Sequence, residues 1–220
     1  MKVIDRESAE RTALRLLEQE GLDGLSLGRV ARQLNVRVPT LYVHFSSRRA
    51  LLERVTDLIL VPAGPQLEAA VEPGEGWRPW LIRTAQLLRR ALLAHRDGAR
   101  VALAADPRRA LGLGAFFERT VVVLHGAGFG LVDAARAARG FMSFVLGRTA
   151  EEQATAELTR MAAAAGSGGA SAMRLHPAIT RFVAKAERRA AGQDPDEVFR
   201  RAVTAMVDTL RTTEPSGVPG

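Results

Sequence analysis

Apolar residues recur along this chain at the three-to-four spacing of helices, and strand-like alternation is nearly absent. Ala9, Ala13, Leu16 and Leu17 fall at i, i+4, i+7 and i+8, which predicts an amphipathic helix over about Asp5 to Glu20. Gly21, free to take left-handed dihedrals, is expected to stop it. Leu27, Val30, Ala31 and Leu34 mark a short second helix with Ser26 as its N-cap, and Asn35 tolerates a turn after it. Pro39 suits the first turn of a third helix that needs only Leu41 and Phe45 to point inward. Ser47 caps a fourth, with a stripe of Leu51, Leu52, Val55, Leu58 and Ile59 that Pro62 and Pro65 end.

Longer amphipathic segments follow a loop at Val71–Gly76. They are read over Trp77–Ala94, Arg96–Ala105, Ala110–Gly126 and Leu131–Thr149. Residues 162–173 are mostly Ala, Gly and Ser and read as a flexible loop. Pro177 opens a helix to about Ala191. Asp194-Pro195-Asp196-Glu197 opens the last one in the arrangement of a capping box, with a seam of Phe199, Ala202, Val203, Met206, Val207 and Leu210. The fold class is therefore all-α, with about ten helices. Residues 1–50 are expected to form a helix-turn-helix domain, joined by the helix at about 47–61 to a second domain over 51–220.

Composition removes several classes of function. With no cysteine there is no disulfide scaffold, zinc-cysteine site, iron–sulfur cluster or thiol nucleophile. The longest uncharged stretches, Thr120–Val132 and Met161–Met173, are too short to span a bilayer. Early charges at Asp5, Arg6 and Glu7 leave no apolar leader, so the expectation is a cytoplasmic protein with no membrane partner. No His-x-x-x-His pair, phosphate loop or nucleophile elbow appears, and the four histidines are scattered, so an enzyme is not expected. No cofactor or metal is called for.

Charge changes the picture at one place. The net charge is +7, yet residues 24–50 hold Arg29, Arg32, Arg37, Arg48 and Arg49 with no acid at all. A solvated helix face normally mixes signs. Arg48 and Arg49 also fall in the first turn of the fourth helix, where the helix dipole favours negative charge and a phosphate would reverse the mismatch. The third helix, with Thr40, Tyr42 and His44 as hydrogen-bonding groups and Val38 or Val43 for a thymine methyl, is the candidate recognition helix. The candidate DNA-binding set is Ser26, Arg29, Arg37, Val38, Pro39, Thr40, Tyr42, His44, Arg48 and Arg49.

These residues also carry a resemblance. Leu41-Tyr42-Val43-His44-Phe45 and Ser46-Ser47-Arg48-Arg49-Ala50-Leu51-Leu52 resemble the recognition signature of the tetracycline-repressor (TetR) family. Ala13 to Glu18 and Gly21 to Ser26 resemble its first helix and turn. The segment Ala91 to Val101, then Gly128-Phe129 and Glu151-Glu152-Gln153, is similar to the ligand domain of the tetracycline repressors, so the likeness covers about residues 5–150. It implies a homodimeric repressor that binds a palindromic double-stranded operator and is released by a small-molecule inducer. In such release the Arg96–Asp106 helix pushes the fourth helix.

The aromatic residues Trp77, Trp80, Phe116, Phe117, Phe141 and Phe144 lie in three helices that could surround one cavity. The candidate pocket is Trp80, Thr84, Leu88, Ala102, Ala105, Pro107, Phe116, Phe117, Phe141 and Phe144. The candidate dimer interface is Ala135, Ala138, Phe199, Val203, Met206 and Leu210, on a small-residue helix and on the last amphipathic seam. The chain departs from the tetracycline receptor where it matters for metal. The family's metal-binding histidine falls at Ala102, its nearby threonine at Ala105, its pocket histidine at Gly64 and its pocket asparagine at Thr84. Only Glu151 lands on a magnesium contact, and one carboxylate is a poor divalent site. The expected ligand is thus largely apolar and not a magnesium–tetracycline chelate. Gly28 stands where the tetracycline repressors carry a base-reading arginine, so a different operator is expected. A second reading keeps the DNA binding and uses the C-terminal half only for dimerisation or protein docking.

Overall fold

The computed structural model describes residues 4–69, 76–164 and 192–211. Among the described residues the chain is helical throughout, with no strand. Helix α1 spans Arg6–Gly24 and starts on Asp5, whose carboxylate accepts the Ser8 N–H. It breaks at Gly21 (φ 74°, ψ −177°), the expected stop, and turns on to Gly24. Helix α2 (Leu27–Leu34) is capped by Ser26 and closed by Asn35 in the left-handed region at φ 56°. Helix α3 is only Val38–Tyr42, with Pro39 in its first turn. Leu41 and Phe45 are fully buried, as their spacing predicts.

Helix α4 (Arg48–Leu60) carries the core of the first three helices into the rest of the chain. Ser47 caps it, and Leu51, Leu52, Val55, Ile59 and Leu60 are buried, while Leu58 is only half-buried. The chain does not simply end its helical run at the two prolines. A 3₁₀ turn at Val61–Ala63 and a short helix α5 (Gly64–Ala69) follow, with Pro62 and Pro65 in first turns, where a missing N–H costs nothing.

Helices α6 (Trp77–Leu93), α7 (Gly98–Ala104), α8 (Leu111–Gly126), α9 (Leu131–Ala164) and α10 (Pro195–Asp208) build the second half. Helix α9 runs past the expected end at Thr149, because residues 150–164 contain no glycine or proline. The Thr155 and Thr159 hydroxyls fold back onto the i−4 carbonyls at 2.9 Å. The expected loop at 162–173 thus begins within α9, and its remainder, like the expected helix Pro177–Ala191, lies outside the described residues. Asp194 caps α10 and Pro195 opens it, but Glu197 does not reach back as a capping box requires. It holds Arg200 at 2.7 Å and Arg201 at 2.7 Å instead.

Helix α10 lies against α6, with Phe199, Val203 and Val207 buried in that contact. Arg89 on α6 fastens it. The buried guanidinium takes Glu152 of α9 in two bonds at 2.8 and 2.7 Å and Asp196 of α10 at 2.6 Å, with the Phe199 ring 4.9 Å away. Those carboxylates, Glu152 first, hold Arg89 protonated far above its ordinary range. Three of the six residues expected at a dimer interface are therefore covered within the protomer, while Ala135, Met206 and Leu210 stay half-buried. Phe199 and Val203, and Ala138 on α9, are buried within the protomer, and Met206 and Leu210 pack partly on the same core. An amphipathic seam states that a face is covered and not by which chain.

Candidate DNA-reading face and ligand chamber

The α2–α3 unit presents one face outward. Tyr42 is 54% exposed and Val43 83%, while Pro39 and Arg37 are exposed and Val38 and Thr40 half-buried. Because α3 is so short, Leu41 within it and Phe45 just after it are the fully buried positions that pin it, and Pro39 and Tyr42 face outward. Asn35 and the turn in which the Thr40 N–H donates to the Arg37 carbonyl at 3.0 Å fix the tilt of that face.

The structure sorts the five arginines. Arg32 and Arg37 are exposed and have no ion-pair partner among the described residues. Arg29 pairs with Glu20 of α1. Arg49 lies 3.9 Å from Glu53 and 3.7 Å from Asp106. Arg48 donates to the Leu25 carbonyl from Nε at 3.0 Å and to the Leu22 carbonyl from Nη2 at 2.9 Å. Arg48 thus spends two donors inside the head while its side chain stays exposed. The last carbonyls of a helix lack intrahelical donors and carry partial negative charge. The broken end of α1 therefore supplies the acceptor that relieves a cation at the start of α4. His44 is committed too, since its Nε2 donates to the Ile4 carbonyl at 3.0 Å. The acid-free window of the sequence is neutralised in part from outside itself, by Glu20, Glu53 and Asp106.

The second half contains an apolar chamber of about 160 Å³ between α7, α8 and α9. Ala102, Ala105, Pro107 and Phe117 line it, four of the expected pocket residues. Trp80, Thr84, Leu88, Phe116 and Phe141 are instead fully buried behind it, and Phe144 is half-buried on the core. Trp77 stacks edge-on to Phe129 at 5.3 Å and takes no part. Sequence reasoning missed Leu103, Leu113, Arg139, Met142, Ser143 and Leu146. The last four stand at i, i+3, i+4 and i+7, so helical spacing on α9 was the available signal. Two buried polar atoms, the Trp80 indole N–H and the Thr84 hydroxyl, have no hydrogen-bond partner. They sit one turn apart on α6.

A larger cleft, about 710 Å³, opens where the halves meet. Its walls are charged and mutually bonded, so it is a junction rather than a receptor for an apolar molecule. His95 Nδ1 donates to Glu18 at 2.7 Å, and Arg96 donates to the Gln19 carbonyl at 2.7 Å. Asp97, left-handed at φ 55°, accepts the Leu22 N–H at 2.8 Å. Arg100 spans Asp97 and Asp23, with Asp97 the main cause of its raised pKa. Gln153 of α9 bonds the Ala99 N–H at 3.0 Å and the His95 carbonyl at 2.8 Å. A second seam runs through α4. Glu10 accepts Arg54 at 2.8 Å, Arg54 donates to Asp57 at 2.9 Å, and Asp57 accepts the Gly112 N–H of α8 at 2.9 Å.

Two family models match this chain. Residues 11–55 match bacterial regulatory proteins of the tetR family, and residues 70–213 match the tetracyclin repressor-like C-terminal domain. The chain belongs to the TetR family. The class C tetracycline repressor protein of Escherichia coli is 36% identical over 155 residues, covering 70% of this chain and 69% of that one. A substituted TetR of Acinetobacter baumannii AYE, solved in complex with minocycline, superposes with a TM-score of 0.66 at 26% identity, covering 93% of this chain and 95% of that one. BioQ, solved with its double-stranded DNA operator, gives a TM-score of 0.61 at 30% identity over 69% of this chain and 88% of that one. The TetR-family assignment makes α2 and α3 a DNA-binding helix-turn-helix. No described helix is long and apolar enough to cross a membrane.

Proposed function

We propose that a homodimer of this chain represses transcription by seating two α3 helices in successive major grooves of a palindromic duplex, about 34–36 Å apart. The observation that carries this reading is the open face of α3, where Arg37 and Tyr42 stand exposed and Arg37 lacks an ion-pair partner among the described residues. Val38, Pro39 and Thr40 complete the face, with Ser26 and Arg29 at its edge. Exposed apolar side chains at Val122, Leu131 and Val132, beside Ala135, supply the dimer contact in place of the buried α10 seam.

A small, largely apolar molecule in the chamber releases the DNA. Support comes from the chamber itself, where Ala102, Leu113, Met142 and Leu146 leave about 160 Å³ unfilled between three helices. Leu113 lines the chamber and Gly112 beside it bonds Asp57, so a ligand displacing Leu113 works on α4 and, through Arg54, on α1. Ala102 and Ala105 offer no metal ligand, and exposed Glu151 is paired with Arg148. Magnesium–tetracycline is therefore not the inducer.

The test is selection of bound genomic fragments followed by fluorescence anisotropy. A palindromic site bound far more tightly than random duplex is the expected result, and equal affinity for both refutes the reading. In calorimetry, magnesium with tetracycline should give no binding at micromolar concentration, whereas a micromolar or tighter Kd contradicts the ligand assignment.

A further inference from the structure

The apolar chamber has one charged wall. It opens between Pro107, Phe117 and Arg139, which also line an outer groove of about 510 Å³. Ala102, Leu113, Met142 and Leu146 are among the residues of its inner surface. The Arg139 guanidinium lies 5.9 Å from the centroid of the Phe117 ring, within range of a cation–π contact that orients it at the mouth. Several other arginines of this half are answered by carboxylates: Arg89 by Glu152, Arg96 by Glu157, Arg100 by Asp97. Arg139 has no carboxylate partner among the described residues, and neither does Arg108, which faces the same groove. Glu118 is the single acid lining that groove among the described residues, so its mouth holds two cations to one anion.

We propose that the ligand of this chamber is an amphipathic aromatic anion, held by its ring inside and by its oxyanion on Arg139 at the mouth. This rests on the small-molecule reading above and adds the chemical class. An apolar cavity of about 150 Å³ holds one benzene ring, which sets the size of the buried part. The planar guanidinium fork matches a carboxylate or sulfonate in two parallel bonds. A neutral ligand would leave Arg139 with no more than its ring contact, and a cationic one would be repelled.

Two probes that share an aromatic frame separate the possibilities: 1-anilinonaphthalene-8-sulfonate and the uncharged N-phenyl-1-naphthylamine. Each is titrated by fluorescence into the full chain, into Arg139→Met and into Ala102→Phe, which fills the inner chamber. Arg139 is exposed, so its variant should fold as the parent does. The expected result is a loss of about tenfold in sulfonate affinity for Arg139→Met, the neutral probe staying within about twofold. Ala102→Phe should weaken both probes. If Arg139→Met binds the sulfonate as tightly as the parent, while Ala102→Phe still weakens both, the anion assignment is wrong and the chamber stands. If Ala102→Phe melts like the parent and changes neither probe, the chamber is not the site and both readings fall.

Discussion

The reading head and the ligand domain differ in where each leaves polar groups without a partner. In the head they are outside. Arg32 and Arg37 face solvent without a carboxylate among the described residues, while inside, Glu10 is held by Arg6 and Arg54, and the Thr56 hydroxyl by the Leu52 carbonyl. The ligand domain leaves two unpaired groups inside as well, the Trp80 N–H and the Thr84 hydroxyl. A cation in water loses nothing by standing alone, whereas a buried donor without an acceptor does. The inside of the head is thus fully bonded at these groups, and the inside of the ligand domain carries a cost at Trp80 and Thr84. Two halves built this way can be coupled, because occupancy of one changes the packing that supports the other.

The comparison can be broken at its seam first. Gly112 brings α8 against α4 so closely that an added Cβ would lie 2.5 Å from the Leu60 Cβ. Gly112→Ala should cost about 1–3 kcal/mol in urea unfolding, and an unchanged midpoint would show that the halves are not packed as described. Next in size is the head's own internal bonding. Arg48→Met removes two charged hydrogen bonds to carbonyls and should destabilise by about 1–3 kcal/mol, read as a fall in Tm. No fall would return Arg48 to the solvent.

The ligand side predicts the opposite sign. Thr84→Val replaces an unpaired buried hydroxyl by a methyl of similar shape, so the protein should gain up to about 1 kcal/mol. A clear loss of stability would mean that the hydroxyl is already bonded. The smallest effect concerns Glu197. Arg200 first, then Arg201, hold its carboxyl down to about 2 from 4.5. Its contribution is fully present above pH 4.5 and is lost as pH falls through about 2. The Tm difference between the parent and Glu197→Gln should shrink over that window, and a difference growing with acid would reverse the sign.

Much of the head was legible in sequence because its signals are local. Ser26, Asn35, Pro39 and Ser47 each act on backbone within three residues, and each holds the expected place. What was not legible involves partners far along the chain. Arg48 reads as an uncompensated cation until the carbonyls of Leu22 and Leu25 arrive beside it, and a charge count over residues 24–50 cannot include Asp106. The seam of α10 was legible as buried, but its covering helix, α6, lies more than a hundred residues earlier. In the chamber, aromatic residues drew attention to the core behind the cavity, while a plain i, i+3, i+4, i+7 face on α9 lines it.

The proposed DNA reading gives Arg37 the phosphate contact and Arg48 the internal bonds of the head. It is tested most directly by the salt dependence of operator affinity for the parent, Arg37→Ala and Arg48→Met. The account predicts that Arg37→Ala keeps the parent Tm within about 0.5 kcal/mol of stability and flattens the slope of log K against log salt by about one unit per subunit. Arg48→Met should lower Tm and leave the slope of the folded protein unchanged. A flattened slope for Arg48→Met, with none for Arg37→Ala, would contradict it.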